Sequence, residues 1–172
     1  MGVTTHISPS LMEEPEPRWE GKATAELKTT APDQVWPLLE DFCGIHKWFP
    51  DLDTSYQVEG EKGKPGLTQY CANNPGESGV KWAKEKLLTM DPIQRCFSYE
   101  VLDNNIGFNS YVATIKVLPV DGGGCRIEWS FASGPIEGWR SDDLGSFVDS
   151  CLQFMAKKME AAIKNEDGSS CG

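Results

Sequence analysis

The stretch Leu144-Gly145-Ser146-Phe147-Val148-Asp149-Ser150-Cys151-Leu152-Gln153-Phe154-Met155-Ala156-Lys157-Lys158-Met159 decides the fold. Its apolar residues Leu144, Phe147, Val148, Cys151, Leu152, Met155 and Met159 follow one another at steps of 3, 1, 3, 1, 3 and 4. That is one stripe of a 3.6-residue period, so the spacing predicts an amphipathic helix, over about 137–164. Asp142 and Asp143 stand near its start and Lys157, Lys158 and Lys164 near its end, the charge order a helix dipole favours. A helix apolar on one side needs an apolar surface to cover, and the residues before it supply one.

Working back from the helix, the period changes from 3.6 to two. Short alternating segments run over about 53–60, 66–73, 79–90, 95–104, 108–119 and 123–133. They are separated by turn material such as Gly60-Glu61-Lys62-Gly63, Asn73-Asn74-Pro75-Gly76, Asp103-Asn104-Asn105 and Asp121-Gly122-Gly123-Gly124. Connections this short make antiparallel neighbours, because a parallel pair needs a long crossover. Further back, Trp19, Gly21, Ala23, Ala25 and Leu27 alternate with polar residues as a first strand. Ala31-Pro32-Asp33 opens a short helix, and a second short helical stretch over 42–49 stops at Pro50. The expectation is an α+β domain over 18–164: a seven-stranded antiparallel curved sheet around a long C-terminal helix, with two short helices after the first strand. Residues 1–17, with three prolines and three acidic residues, read as a flexible arm, and 165–172 as a flexible tail.

The chain has 172 residues with a formal charge of −10, from 16 basic and 26 acidic side chains. An acidic surface without a run of lysine and arginine argues against nucleic acid as a partner. No uninterrupted apolar stretch is long enough for membrane insertion. The six cysteines, Cys43, Cys71, Cys96, Cys125, Cys151 and Cys171, form no CxxC pair and no cluster with histidine, so no metal site is expected. They read as thiols of a reducing compartment and, with no secretory signal in 1–17, point to a cytoplasmic protein. No P-loop, GxGxxG or Ser-His-Asp arrangement is present, and no cofactor is expected. His46 reads as a packed or surface residue, and nothing in the sequence sets the oligomeric state.

Alternation assigns an inward face to each strand: Leu67, Gln69 and Cys71; Ala83, Glu85 and Leu87; Phe97, Tyr99 and Val101; Tyr111, Ala113, Ile115 and Val117; Ile127, Trp129 and Phe131. Glu85 is the exception on its face, a carboxyl between Ala83 and Leu87. Desolvated there, it acquires a raised pKa and the means to exchange a proton near neutrality. If it faced solvent instead, it would be an ordinary surface charge. Tyr99 and Tyr111 bring hydroxyls to the same side. Phe147, Leu152 and Met155 of the last helix are expected against this face, beside Tyr111 and Trp129.

The order strand, two short helices, six strands, long helix resembles the helix-grip fold of the birch-pollen-allergen, START-like and polyketide-cyclase superfamily, whose members hold apolar ligands in an internal cavity. Within it, Asp41-Phe42 through His46-Lys47, Val58-Glu59-Gly60-Glu61, Trp82-Ala83-Lys84-Glu85-Lys86-Leu87, Tyr111-Val112-Ala113-Thr114 and Trp129-Ser130-Phe131 with Ile136-Glu137-Gly138 resemble the plant lachrymatory factor synthase-like proteins. That resemblance implies a cofactor-free rearrangement of a small sulfenic acid, with Glu85 as the catalytic carboxyl and Tyr111 beside it. The family's partner arginine falls in Thr68-Gln69-Tyr70, so Gln69 stands where a permanent cation is expected. The same fold and pocket follow from the resemblance, but the same reaction does not.

Two functions remain open at this level. One is binding of a small hydrophobic ligand, with acid/base isomerase- or cyclase-like chemistry by Glu85 and Tyr111. The other is a non-enzymatic carrier or sensor of a lipid or hormone-like ligand. In both, Gln69, Tyr99, Phe97, Trp129, Phe131, Phe147 and Met155 are the expected ligand contacts. Abscisic acid receptors share the fold, but their Ser-Gly-Leu-Pro-Ala gate is replaced by Asn74-Pro75-Gly76-Glu77-Ser78-Gly79 and their His-Arg-Leu latch by Asp103-Asn104-Asn105-Ile106-Gly107, which disfavours that kind of reception. A stress-induced protein with a protein partner is a third, plainer reading.

Overall fold

The computed structural model describes residues 18–50, 52–73 and 79–171, with side chains described through residue 166. The expected arm at 1–17 lies outside the described residues, as do residues 74–78 of the loop compared above with the receptor gate.

Strand β1 (Trp19–Leu27) turns Ala23, Ala25 and Leu27 inward as its alternation requires. Helix α1 (Pro32–Glu40) begins with proline, whose missing N–H costs nothing in a first turn, and Gln34 Oε1 accepts the Ala31 N–H at 2.9 Å. A 3₁₀ helix (Phe42–Lys47) follows. Then come β2 (Leu52–Glu59), β3 (Thr68–Asn73), β4 (Trp82–Asp91), β5 (Cys96–Asn104), β6 (Val112–Pro119) and β7 (Cys125–Ser133). The sheet runs β1-β7-β6-β5-β4-β3-β2 with every neighbouring pair antiparallel. The seven-stranded antiparallel sheet, the two short helices and the terminal helix are those expected of a helix-grip fold.

Two local details shape the concave face. Gly21 pairs with Phe131, and a Cβ at Gly21 would meet Phe131 Cζ at 2.7 Å, so the glycine provides the seat for that ring. Register shifts between Leu87 and Thr89 in the β4–β5 ladder let both Leu87 and Met90 turn toward the core, breaking the simple alternation there. On the convex face Tyr56, Tyr70 and Trp82 stack across β2, β3 and β4, with ring centroids 5.0 and 5.9 Å apart.

Helix α2 (Ser141–Cys171) starts later than the 137 expected and continues through 165–171, where a tail was expected. Its start is set by Asp143, whose Oδ2 accepts the Arg140 N–H at 2.7 Å. Because it runs past Lys164, its last turn holds no basic residue, and Lys157, Lys158 and Lys164 sit within the helix rather than at its end. Leu144, Val148, Leu152, Met155 and Met159 are fully buried along the expected stripe. Phe147 departs from it at 43 % exposed, on the side of the helix that faces Trp139 and Phe108.

The helix docks mainly on β1, with weaker contact to β7. Gln153 Nε2 donates to the Thr24 carbonyl at 2.8 Å and Thr30 Oγ1 donates to Glu160 Oε2 at 3.4 Å. Its one-sided position leaves much of the β3–β6 part of the concave face uncovered by α2; α1 and the 3₁₀ helix cover some of it through Trp36 and Phe42, and a cavity lies in the rest.

Candidate functional site

The cavity has a volume of about 310 Å³, in the range of small-molecule sites. Its walls come from β3 (Cys71, Asn73), β4 (Ala83, Glu85), β5 (Tyr99, Val101), β6 with its approach (Phe108, Tyr111), β7 (Trp129) and α2 (Phe147, Cys151). Phe49, Pro50, Leu52, Ile106 and Trp139 complete it from loops and the start of β2, and Lys81 stands at its rim. The lining is aromatic and aliphatic, with few polar groups.

Glu85 is on the inward face of β4, opposite Val101 on β5 and Gln69 on β3. The accessible surface it retains lies where it lines the cavity. Desolvation raises its pKa to about 7, opposed by hydrogen bonds from Gln69 and Cys71. Both are made to Oε1: Gln69 Nε2 donates at 2.9 Å, and Cys71 Sγ lies at 3.9 Å. Burial and then the neighbouring Glu85 charge push the Cys71 thiol well above its usual range, so it is a neutral donor and no nucleophile.

Tyr111 is carried into the cavity by the chain entering β6, where Ser110 adopts a left-handed φ of 52°. Its hydroxyl accepts from Trp129 Nε1 at 3.2 Å. It is also hydrogen-bonded to Tyr99, a contact that raises the Tyr99 pKa and lowers that of Tyr111. Burial keeps both phenols far above their ordinary pKa, so they are neutral hydrogen-bonding groups throughout the working range.

The mouth is ordered by asparagines. Asn104 Oδ1 accepts from the backbone N–H groups of Ile106, Gly107 and Phe108, and its Nδ2 donates to the Phe108 carbonyl. Asn105 fastens the same loop to the start of β4 through Trp82 N–H and the Val80 carbonyl. The loop so fixed sets Phe108 stacked on Tyr111 at 5.2 Å and edge-on to Trp139 at 6.2 Å, while Trp139 meets Phe147 at 5.7 Å. Phe49 closes from the other side, edge-on to Trp129 at 5.6 Å.

Of the residues expected at the site, Glu85, Tyr111, Tyr99, Trp129 and Phe147 line the cavity. Gln69, Phe97, Phe131 and Met155 are not among its lining residues. Gln69 is fully buried behind Glu85, Phe97 is enclosed between Trp36, Phe42 and Tyr99, Phe131 lies over Gly21, and Met155 is buried under the helix. Inward-facing is a property of the whole concave face, and much of that face is filled by core. The mouth aromatics Phe49, Phe108 and Trp139 come from segments without periodicity. The signal that could have found Phe108 is the Asn104-Asn105 pair, a loop-fixing signature three and four residues before it. His46 lies on the 3₁₀ helix and does not line the cavity.

The fold recurs in solved structures of low identity. The crystal structure of Ara h 8.0201 aligns with a TM-score of 0.71 at 16% identity, over 87% of this chain and 99% of that one. The protein XoxI from Bacillus cereus aligns at 0.69 with 21% identity, over 86% and 97%, and a Thermobifida fusca protein at 0.64 with 21%, over 81% and 92%. These likenesses establish the architecture, the birch-pollen-allergen-like helix-grip fold. The family model described as polyketide cyclase / dehydrase and lipid transport matches residues 18–164, nearly all of the described domain, and the chain belongs to that family.

Proposed function

We propose that the protein binds a small, neutral, predominantly apolar ligand in the cavity between the sheet and helix α2, with Tyr111 and Glu85 as its polar contacts. The observation that carries this reading is the cavity itself: an aromatic-lined space of about 310 Å³ in which, among the described lining residues, Glu85 is the one carboxyl and Lys81, at the rim, the one cation. Family membership supports a hydrophobic ligand. The hydrogen-bond inventory narrows it. Trp129 donates to the Tyr111 oxygen, and one hydroxyl hydrogen bridges Tyr99 and Tyr111, so the pair keeps one hydroxyl hydrogen to donate to a ligand acceptor such as a ketone, an enone or a sulfoxide. A carboxylate ligand would meet the Glu85 charge above neutral pH, at a cost of about 4 kcal/mol for charges about 4 Å apart in partly screened surroundings.

The test is displacement of the neutral fluorophore 1-aminoanthracene at pH 8 by 2-decanone and by decanoate. The ketone should displace it, and the carboxylate should bind at least about tenfold more weakly, a difference of about 1.4 kcal/mol. Equal competition by decanoate, or no uptake of the fluorophore, contradicts the reading.

A second reading, cofactor-free acid/base catalysis as in the lachrymatory factor synthase-like plant proteins, is favoured by one feature: burial at the cavity wall pushes the Glu85 carboxyl up to about 7. It is weakened by Gln69, which bonds Glu85 and does not supply a charge to the cavity. The protein is therefore expected to convert a sulfenic acid to a thial S-oxide no faster than the spontaneous reaction. Conversion well above that background, measured on the unaltered protein, would make the arginine dispensable and restore the family reaction.

A further inference from the structure

We propose that Gln69 is a positioning residue whose side-chain amide reverses with the protonation of Glu85, so that the relay Glu85–Gln69–Ser55–Cys43 favours the neutral carboxyl. The proposal rests on reading Glu85 as the proton-exchanging group of the cavity, and it follows from counting hydrogens.

Three links join four groups. Gln69 Nε2 lies 2.9 Å from Glu85 Oε1, Ser55 Oγ lies 2.9 Å from Gln69 Oε1, and the same Ser55 Oγ lies 2.9 Å from the Cys43 carbonyl of the 3₁₀ helix. In this arrangement the Ser55 hydroxyl faces two acceptors and owns one hydrogen. It satisfies Gln69 or Cys43, or shares itself weakly between them, and Gln69 is fully buried. A buried carbonyl left short of a donor is destabilising.

That shortage belongs to the ionised carboxylate, which accepts from Gln69 and fixes its N–H toward itself. When a proton sits on Oε1, the amide can turn about. Glu85 O–H then donates to Gln69 Oε1, Gln69 N–H donates to Ser55 Oγ, and Ser55 O–H donates to the Cys43 carbonyl. Each acceptor has one hydrogen and none is shared. The two orientations of a primary amide have nearly the same shape, so its hydrogen bonds decide between them. Other groups act on Glu85 as well: Cys71 from β3, Tyr99 from β5 and Tyr111 from β6, while Cys151 of α2, which acts on Tyr111, and Lys81 at the rim line the same cavity. Asp41 and Lys62 act on Cys43 at the far end.

The experiment is a carboxyl ¹³C NMR titration of Glu85, its resonance assigned by loss in Glu85→Gln, in the parent, Ser55→Ala and Ser55→Thr. Removing the hydroxyl removes the advantage of the neutral state. Ser55→Ala should therefore lower the Glu85 midpoint by about half to one unit, the worth of one net hydrogen bond. Ser55→Thr keeps the hydroxyl and should return it to the parent value. If Ser55 only braced Gln69 as a donor to the carboxylate, its loss would raise the midpoint. A rise, or no change, overturns the relay. The amide reversal has its own readout in the parent: cross-relaxation between the Gln69 side-chain NH₂ and the Ser55 β-protons should be strong below the midpoint and fade above it. The same contact at every pH contradicts the reversal. A parent midpoint in the ordinary carboxyl range would instead overturn the reading of Glu85 on which the relay rests.

Discussion

Leu152→Ala is expected to lower the unfolding free energy by about 2–5 kcal/mol, the range for deleting a fully enclosed leucine side chain. Leu152 is completely buried, on the stripe of α2 that includes Leu144, Val148, Met155 and Met159. The helix is held to the sheet chiefly through this stripe, since its described polar links to β1 and its following turn are the Gln153 and Thr30 bonds. Such partly exposed bonds contribute about 1 kcal/mol each, and truncating the apolar stripe outweighs either. Phe147→Ala, five residues earlier on the same helix, should cost much less because that ring is 43 % exposed at the cavity mouth. Urea denaturation of both variants checks the pair. A loss below about 1 kcal/mol at Leu152, or a larger loss at Phe147 than at Leu152, would mean that the helix is not seated as described.

Glu85→Gln is expected to stabilise the protein at pH 8 by up to roughly 3 kcal/mol and to change its stability little at pH 4. The folded pKa of Glu85, about 7, lies above its value of 4.5 when solvated. Below 4.5 the carboxyl is neutral in folded and unfolded chains alike. As pH rises from there the unfolded chain ionises first, so stability drawn from the neutral form is lost progressively through about 7 and is gone above it. The gap between 4.5 and about 7 sets the roughly 3 kcal/mol, at 1.36 kcal/mol per unit. Glutamine keeps the shape and does not ionise, so the variant escapes that loss. Denaturation curves for parent and variant at the two pH values read the effect directly. An equal difference at both would show that the carboxyl does not change its ionisation on folding.

The strands were legible in the sequence because a half-buried sheet imposes a period of two, and the long helix because it imposes 3.6. Ala83, Glu85 and Leu87 could therefore be placed on one face, and Leu144 through Met159 on one stripe. Periodicity reports which face a residue is on, not whether that part of the face meets core or cavity. That is why Tyr99, Tyr111 and Trp129 line the cavity while Phe97, Phe131 and Met155 are in the core. The division depends on where α2 docks, a tertiary fact set by its seat on β1. Gln69 shows the same limit: its inward face was readable, but its position behind Glu85 depends on the cross-strand register of β3 and β4. The end of α2 was missed because the lysines up to Lys164 look like a helix terminus and the residues after them include glycine and serines.

The central claim is that the cavity holds a carboxyl poised to exchange its proton near neutral pH. The titration midpoint of the Glu85 carboxyl, followed by ¹³C NMR in the unliganded protein, tests it most directly. A midpoint of about 7 is expected. A midpoint close to 4.5, the value of a solvated glutamate, would contradict it and place Glu85 among the ordinary acidic side chains of the surface.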